Sequence, residues 1–109
     1  MDRGYSRRQM EEMGFDRSQY AFPTVSGRAT GTLVMKEWGK SKCLMCYFDL
    51  DDGEKLVLSV WWDSDGDRAY RPKNSDLDLS MIEIGSRMEI VYGLTASGKS
   101  RFLEADVLK

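Results

Sequence analysis

The fold is decided by residues 42–63, which read KCLMCYFDLDDGEKLVLSVWWD. Apolar residues recur at every second position on both sides of Asp52-Gly53, a dipeptide typical of a tight hairpin turn. Strands joined by so short a turn pair antiparallel, because a parallel pair needs a crossover of roughly a dozen residues or more. One face of this hairpin is predicted to carry Leu44, Cys46, Phe48, Leu50, Leu56, Leu58, Val60 and Trp62.

A further strand is predicted directly before this hairpin, at residues 28–38, RATGTLVMKEW. Gly39-Lys40-Ser41 indicates a turn, so the three strands form an antiparallel meander. Gly31 in mid-strand indicates a bulge or a sharp bend. The alternation places Ala29, Leu33 and Met35 on one face, and Thr30, Thr32, Val34, Lys36 and Trp38 on the other.

The remaining segments after the hairpin predict two more elements of the sheet and a short helix. A fourth strand is expected at residues 87–94, with Met88, Ile90 and Tyr92 facing inward. Residues 101–108 fit either a helix or a strand. Between the third and fourth strands, Ser75 is predicted to cap a short helix through the apolar positions Leu77, Leu79, Met81 and Ile82.

Residues 1–24 form a separate N-terminal arm, and residues 25–109 form the main domain. Ser6 and Gln9 have capping-box spacing and Gly14 is a good helix stop, so the arm is predicted to contain a short helix. Met10 and Met13 would share one face of it. A frayed terminus is the alternative.

The composition fits one small domain and excludes several classes of protein. The chain has 109 residues, 41% of them hydrophobic, and no apolar run approaches the roughly 20 residues that cross a membrane. The N-terminus lacks a signal sequence, so a cytoplasmic protein is expected. The chain has no histidine, which excludes imidazole-dependent catalysis. Cys43 and Cys46 are predicted to be two reduced thiols on one strand, and a zinc half-site completed by a second subunit is the alternative.

Residues 93–100, GLTASGKS, match the phosphate-binding loop GxxxxGK[ST]. Such a loop stands between a strand of a parallel sheet and a helix, whereas the strands upstream are predicted to be antiparallel. Only nine residues follow Ser100, too few for a further crossover and strand. A hairpin with Ser97-Gly98 at its tip is therefore favoured, and nucleotide binding through Lys99 is the remote alternative.

The predicted order of three strands, a short helix and two strands resembles the OB-fold, a five-stranded, partly open Greek-key barrel. The resemblance covers residues 25–109. It rests on AxGxL at residues 29–33, the Asp52-Gly53 hairpin and IxxGxxMxIxYG at residues 82–93. The likeness is closest to single-stranded-DNA-binding domains of the replication protein A and bacterial single-strand-binding type.

This resemblance implies an all-β domain whose second and third strands, bracketed by the first and last hairpin loops, form a ligand face that in this family binds oligonucleotides or oligosaccharides. Single strands are held by aromatic rings that stack on bases and by cations that follow the phosphates. Carried onto this sequence, the implied nucleic-acid-binding residues are Lys36, Trp38, Lys40, Lys42, Tyr47, Trp61, Lys99, Arg101 and Phe102.

The charge distribution agrees only in part with that expectation. Residues 23–48 carry four basic residues against one acidic residue, but the whole chain has a net charge of -2. Asp49 and Asp63 would also lie near the ligand face. We expect a non-enzymatic module that binds single-stranded nucleic acid, DNA rather than RNA, without a cofactor or metal. A protein-interaction module that binds a partner or a second copy of the chain is the alternative.

Overall fold

The computed structural model describes residues 4–39, 42–62 and 69–109. Five strands form one antiparallel sheet in the order β3-β2-β1-β4-β5. The strands are β1 (Gly27–Trp38), β2 (Cys43–Leu50), β3 (Lys55–Trp61), β4 (Arg87–Leu94) and β5 (Ser100–Val107). The other elements in the described ranges are helix α1 (Arg7–Glu12) and single 3-10 turns at Arg17–Gln19 and Leu79–Met81.

β3 and β5 are the two edges of this sheet. Their Cα atoms come within 8 Å of one another, but no ladder of hydrogen bonds joins the two strands. The prediction of five antiparallel strands in a mostly β domain is confirmed. The sheet brings its edges together without closing, and it leaves a seam between β3 and β5.

The predicted hairpin at Asp52-Gly53 is confirmed. Gly53 has a φ of +93°, which glycine adopts without strain, and the register pairs Phe48 with Leu56. Trp62 is the exception on the predicted inner face, because 39% of it is exposed. The others pack in the main core: Leu44, Cys46, Phe48, Leu50, Leu56, Leu58 and Val60.

The last two strands settle the structure of the GLTASGKS segment. β4 has the predicted bounds, and residues 101–107 are a strand rather than a helix. The Gly98 N–H donates to the Thr95 carbonyl at 2.9 Å, and Gly98 has a φ of +84°. The segment is therefore the tip of an antiparallel hairpin, as predicted.

A bulge in β1 reverses part of the alternation that the sequence predicts. Leu33 pairs with Phe48 and Met35 pairs with Tyr47, so Val34 is an extra residue in β1. Beyond a bulge, each side chain points to the face opposite the one it would have in an uninterrupted strand. The prediction that Met35 shares a face with Leu33 is wrong: Leu33 lies in the main core, whereas Met35 packs in a second cluster with Tyr47.

A second bulge lies in β5. Val91 pairs with Glu104 and Tyr92 pairs with Phe102, so Leu103 is the extra residue. This change of face turns Phe102 into the core, where 5% of it is exposed. The two bulges together explain why alternation alone misplaces residues on both strands.

The N-terminal arm, residues 4–24, is docked against the sheet at both of its ends. Near its start Tyr5 forms a parallel bridge with Glu37 of β1, and near its end Ala21 forms a parallel bridge with Leu56 of β3. Backbone hydrogen bonds thus fix the arm to the first and third strands. The arm is ordered by these contacts and is not a frayed terminus.

Helix α1 forms as predicted. Ser6 accepts from the Gln9 N–H and the Gln9 side chain accepts from the Ser6 N–H, which completes the capping box. Gly14, just beyond the helix, has a φ of +78°. Met10 is fully buried, whereas 54% of Met13 is exposed, so one methionine docks the helix and the other does not.

The arm buries the outer face of β2. The rings of Phe15, Tyr20 and Tyr47 form a cluster with centroid separations of 5.1, 5.2 and 5.3 Å. Met35 and Val57 complete this second core on the strands beneath. Both faces of β2 are therefore packed against the protein's own side chains.

The connection between β3 and β4 differs from the prediction. Among the described residues of this connection, 62 and 69–86, the one helical turn is the 3-10 turn Leu79–Met81, and the Asp78 carboxylate accepts from the Ser80 N–H at its start. The Ser75 hydroxyl donates to the Ala105 carbonyl and accepts from the Leu77 N–H, but no helix begins there, so the prediction that Ser75 caps a helix is wrong. None of the helices in the described ranges is long and apolar enough to cross a membrane.

We expect Gly31→Ala to destabilise the fold, because a side chain at this position has no space. A Cβ atom on Gly31 would lie 2.5 Å from the Asp49 carbonyl oxygen and 2.9 Å from the Leu50 Cα. The free energy of unfolding, measured by urea denaturation, should fall by about 1–3 kcal/mol. Gly39→Ala is the control, since its nearest neighbour would be at 3.5 Å. Equal stabilities of the two variants would contradict the close approach of β1 and β2.

Candidate nucleic-acid interface

The predicted binding residues do not share one surface. Lys36, Tyr47 and Phe102 are buried, and Lys40 lies outside the described residues. The residues that come together on an exposed groove are Trp61, Lys99 and Arg101. The residues that are exposed but do not line this groove are Trp38 and Lys42.

Lys36 is a structural residue, and the prediction that it lines an exposed edge is wrong. The bulge at Val34 turns its side chain inward, and none of its surface is exposed. The Lys36 Nζ donates to three backbone carbonyls around the 3-10 turn Leu79–Met81. Its distances to the Leu79, Ser80 and Ile82 oxygens are 3.3, 3.2 and 2.5 Å. An ammonium has three donors, and three carbonyls accept them here.

Tyr47 is likewise unavailable for stacking on a base. Its hydroxyl donates to the Glu37 carboxylate at 2.5 Å, and the same carboxylate accepts from Arg17 at 3.3 Å and Arg7 at 3.4 Å. Glu37 is only 3% exposed, and the negative charge of its buried carboxylate is compensated by these two guanidinium groups of the arm. Burial and the hydrogen bond to Glu37 raise the pKa of the Tyr47 phenol to about 12.

Phe102 and Trp38 are committed to ring packing. Phe102 is 5% exposed and packs edge-on against Phe48 at a centroid distance of 6.0 Å, so it contributes to the lining of the groove only through its small exposed part. Trp38 and Trp62 each pack edge-on against Tyr70, at centroid distances of 5.0 and 5.5 Å. These rings are occupied by intramolecular contacts, whereas Trp61 is 57% exposed.

The candidate interface is the groove along the seam between β3 and β5. It has a volume of about 430 Å³ and is lined on one side by Trp61 and on the other by Arg101 and Lys99. Lys99 is held at the hairpin tip, because its N–H donates to the Thr95 hydroxyl at 3.1 Å and its carbonyl accepts from the Thr95 N–H at 2.8 Å. We call this space the seam groove.

Two further cations enter the seam groove from the connection before β4. The Lys73 N–H donates to the Phe102 carbonyl at 3.1 Å, which lays this segment along β5 and brings Arg71 and Lys73 to the groove wall. Arg71 is half-buried: its Nη1 donates to the Asp76 carbonyl, and its Nε has no hydrogen-bond partner within the described ranges. Among the described residues that line the groove, four are cationic and none is acidic.

A second groove of about 500 Å³ adjoins the first and shares Trp61 and Lys99 with it. Its opposite wall is the end of the arm, at Phe22, Pro23 and Thr24. Phe22 is 45% exposed. We call this space the arm groove. The two grooves meet at the Trp61 indole. The seam groove is the cationic side, and the arm groove, with its wall at the end of the arm, is the apolar side.

Sequence reasoning did not find Arg71, Lys73 or Phe22. The two cations stand in the most acidic part of the chain, where their charge is hidden by neighbouring aspartates. Phe22 precedes the region that resembles the OB-fold. None of the three belongs to a periodic hydrophobic pattern. The one local signal is Arg71-Pro72-Lys73, a short basic segment in an irregular connection.

The two thiols offer no reactive centre. Cys43 and Cys46 are both free and buried, as predicted. Burial raises the pKa of the Cys46 thiol to about 12, and burial also raises the pKa of Cys43. Both are therefore protonated near neutral pH, and the thiolate that a nucleophile needs is disfavoured.

Comparison with known proteins finds no matching family model, and no significant match among curated proteins or solved structures. A function for this chain is therefore proposed from the grooves themselves.

We expect Lys36→Met to destabilise the protein by about 2–4 kcal/mol, because three carbonyls, one buried and two partly buried, lose the donor of a fully buried ammonium. Lys42→Met is the control at an exposed lysine, where a change within about 0.5 kcal/mol is expected. Urea denaturation measures both. Unchanged stability in Lys36→Met would show that the ammonium is not held by these carbonyls.

A second expectation concerns alkaline pH. The folded protein holds the Tyr47 proton more tightly than the unfolded chain, whose tyrosines titrate near pH ~10. The resulting stabilisation is present below about pH 10 and is lost as pH rises toward about 12. Tyr47→Phe should therefore reduce the loss of unfolding free energy in this window by up to about 1.4 kcal/mol per pH unit. Denaturation at fixed pH values from 8 upward tests this, and parallel curves for the two proteins above pH ~10 would contradict it.

Proposed function

We propose that this protein is a non-enzymatic OB-fold-like module that binds single-stranded nucleic acid in the seam groove. The observation that carries the proposal is an exposed tryptophan, Trp61, flanked by four cations on a groove that no described acidic residue lines. A nucleic-acid single strand presents repeated phosphates and flat bases, and these are the groups that cations and aromatic rings bind.

The state of the cations supports the proposal. Lys73, Lys99 and Arg101 are exposed and form no ion pair within the described part of the chain. Their charges are therefore available to an external anion without breaking an internal contact. Arg71 adds a guanidinium that is already oriented by the Asp76 carbonyl, which lowers the entropy lost on binding.

Two acidic side chains near the β2–β3 hairpin, Asp49 and Asp51, do not line the seam groove. Although burial opposes it, hydrogen bonds from Tyr20 and Lys55 hold the pKa of the Asp49 carboxyl below its usual range. Asp51 pairs with Arg87 through two hydrogen bonds. The sequence predicted Asp49 near the ligand face, but its carboxylate accepts hydrogen bonds from Tyr20 of the arm and from Lys55. Asp63, the other acid of concern, lies outside the described residues.

The sheet supports an OB-fold assignment within this proposal. β1 pairs with β2 along one part of its length and with β4 along another, and the edges β3 and β5 approach each other. A partly open Greek-key barrel has such an arrangement, and its last hairpin loop borders the ligand site. Lys99 occupies that loop here. A phosphate-binding loop requires a following helix, whereas this segment is an antiparallel hairpin. The hairpin therefore favours contact of Lys99 with the phosphates of a polynucleotide over the binding of a nucleotide by such a loop.

The test is the affinity for labelled oligo-dT, measured by fluorescence anisotropy over a series of salt concentrations. The unmutated protein should bind at low salt, and log Kd should rise linearly with log salt. Lys99→Ala and Arg101→Ala should each weaken binding roughly threefold or more at low salt. Each should also reduce the salt slope by about 0.7, because one phosphate contact is lost.

The matched control is Arg8→Ala, since the Arg8 side chain is 89% exposed on helix α1 and lies outside both grooves. This variant should retain the affinity and the salt slope of the unmutated protein. A Trp61→Ala variant should lose about 1–3 kcal/mol of binding free energy. If the unmutated protein does not bind oligo-dT at low salt, or if it binds only another protein or itself, the proposal is overturned.

A further inference from the structure

The aromatic residues of the described chain fall into three groups, one of which, Tyr5 and Tyr92, is half-buried against the two cores without a ring contact. Most pack against another ring: Phe15, Tyr20 and Tyr47 under the arm, Trp38, Trp62 and Tyr70 beside β1, and Phe48 with Phe102 in the core. Phe22 and Trp61 make no ring contact within the described residues, and they are 45% and 57% exposed. Both of them line the arm groove.

The position of Phe22 is fixed by the backbone on either side of it. The Ala21 N–H donates to the Lys55 carbonyl at 3.4 Å, and the Val57 N–H donates to the Ala21 carbonyl at 3.0 Å. Pro23 follows directly and restricts the chain further. An exposed apolar ring on a fixed backbone loses little conformational entropy when a ligand packs on it.

The two sides of Trp61 differ in chemistry. Toward the seam groove it faces Arg71, Lys73 and Arg101, whereas toward the arm groove the wall is Phe22 and Pro23, with Lys99 shared between the two. A single strand has the same two-sided character, since its charged backbone and its flat bases point in different directions. Cations bind the phosphate backbone, and aromatic rings stack on the bases.

From this juxtaposition we infer that the arm groove is a base-binding subsite, in which Phe22 and Trp61 each offer a stacking surface to a base. The inference rests on the proposed function, and it extends that function by assigning part of the binding site to the N-terminal arm. The backbone of the ligand then follows the cations of the seam groove, while its bases enter the space between β3, the hairpin tip and residues 22–24.

This arrangement makes the docking of the arm a condition for base recognition. Arg7 and Arg17 hold the arm to Glu37, and Ala21 holds its end to β3. Phe22 lies on the arm and not on a strand of the sheet, so its position in the arm groove depends on these contacts. The ligand predicted by this geometry carries bases, and a bare polyanion would use the seam groove alone.

The experiment compares two ligands of equal length, oligo-dT and an abasic oligonucleotide with the same phosphates. The unmutated protein should bind oligo-dT more tightly than the abasic strand. Phe22→Ala should weaken oligo-dT binding roughly 5- to 100-fold and leave binding of the abasic strand within about twofold. Phe22→Trp should restore the preference, because any aromatic ring presents a stacking face.

The matched control is Met13→Ala, which removes an exposed apolar side chain of the same arm outside the arm groove. It should bind both ligands as the unmutated protein does, and circular dichroism should show that every variant is folded. If Phe22→Ala keeps the full preference for oligo-dT, or if the unmutated protein binds both strands equally, the base subsite is overturned while the cationic groove stands. If the unmutated protein binds neither strand, the proposed function fails and the subsite fails with it.

Discussion

The bulge at Val34 is the constraint on which the rest of the structure depends. It sends Lys36 to the inner side of β1 and Glu37 to the arm side, and both side chains are almost fully buried. A buried charge costs several kcal/mol unless it is hydrogen-bonded. Only in the bulged register does the ammonium reach the carbonyls of the 3-10 turn, while the carboxylate reaches Tyr47 and Arg17. One extra residue therefore fixes the turn before β4 and the docking of the arm together.

The docked arm decides which part of the sheet remains accessible. Its rings fill the outer side of β2, so the face on the second and third strands is occupied by the protein's own side chains over most of its length. Trp61, at the end of β3, lies beyond this cover. The site proposed here consequently moves to the seam between β3 and β5, and the arm becomes one of its walls.

The seam groove is positively charged, although the net charge of the whole chain is negative. The chain is acidic overall, and several of its carboxylates are held in pairs on the body of the sheet, such as Asp51 with Arg87 and Glu89 with Arg28. The cations of the seam groove come from the connection before β4 and from the last hairpin, which are separate in sequence. Because the fold gathers them on one surface, an anionic ligand meets a field that the net charge does not reveal.

The sequence by itself determined the first four strands, the antiparallel pairing of the first three through short turns, the capped helix α1 and the exposed Trp61, Lys99 and Arg101. These features follow from local alternation, turn chemistry and capping, which act over a few residues. Only the tertiary structure decided the burial of Lys36, Tyr47 and Phe102, since bulges change the face of every later residue and leave no mark in composition. It also decided that Arg71, Lys73 and Phe22 meet Trp61, because residues distant in sequence become neighbours only when the sheet brings its edges together.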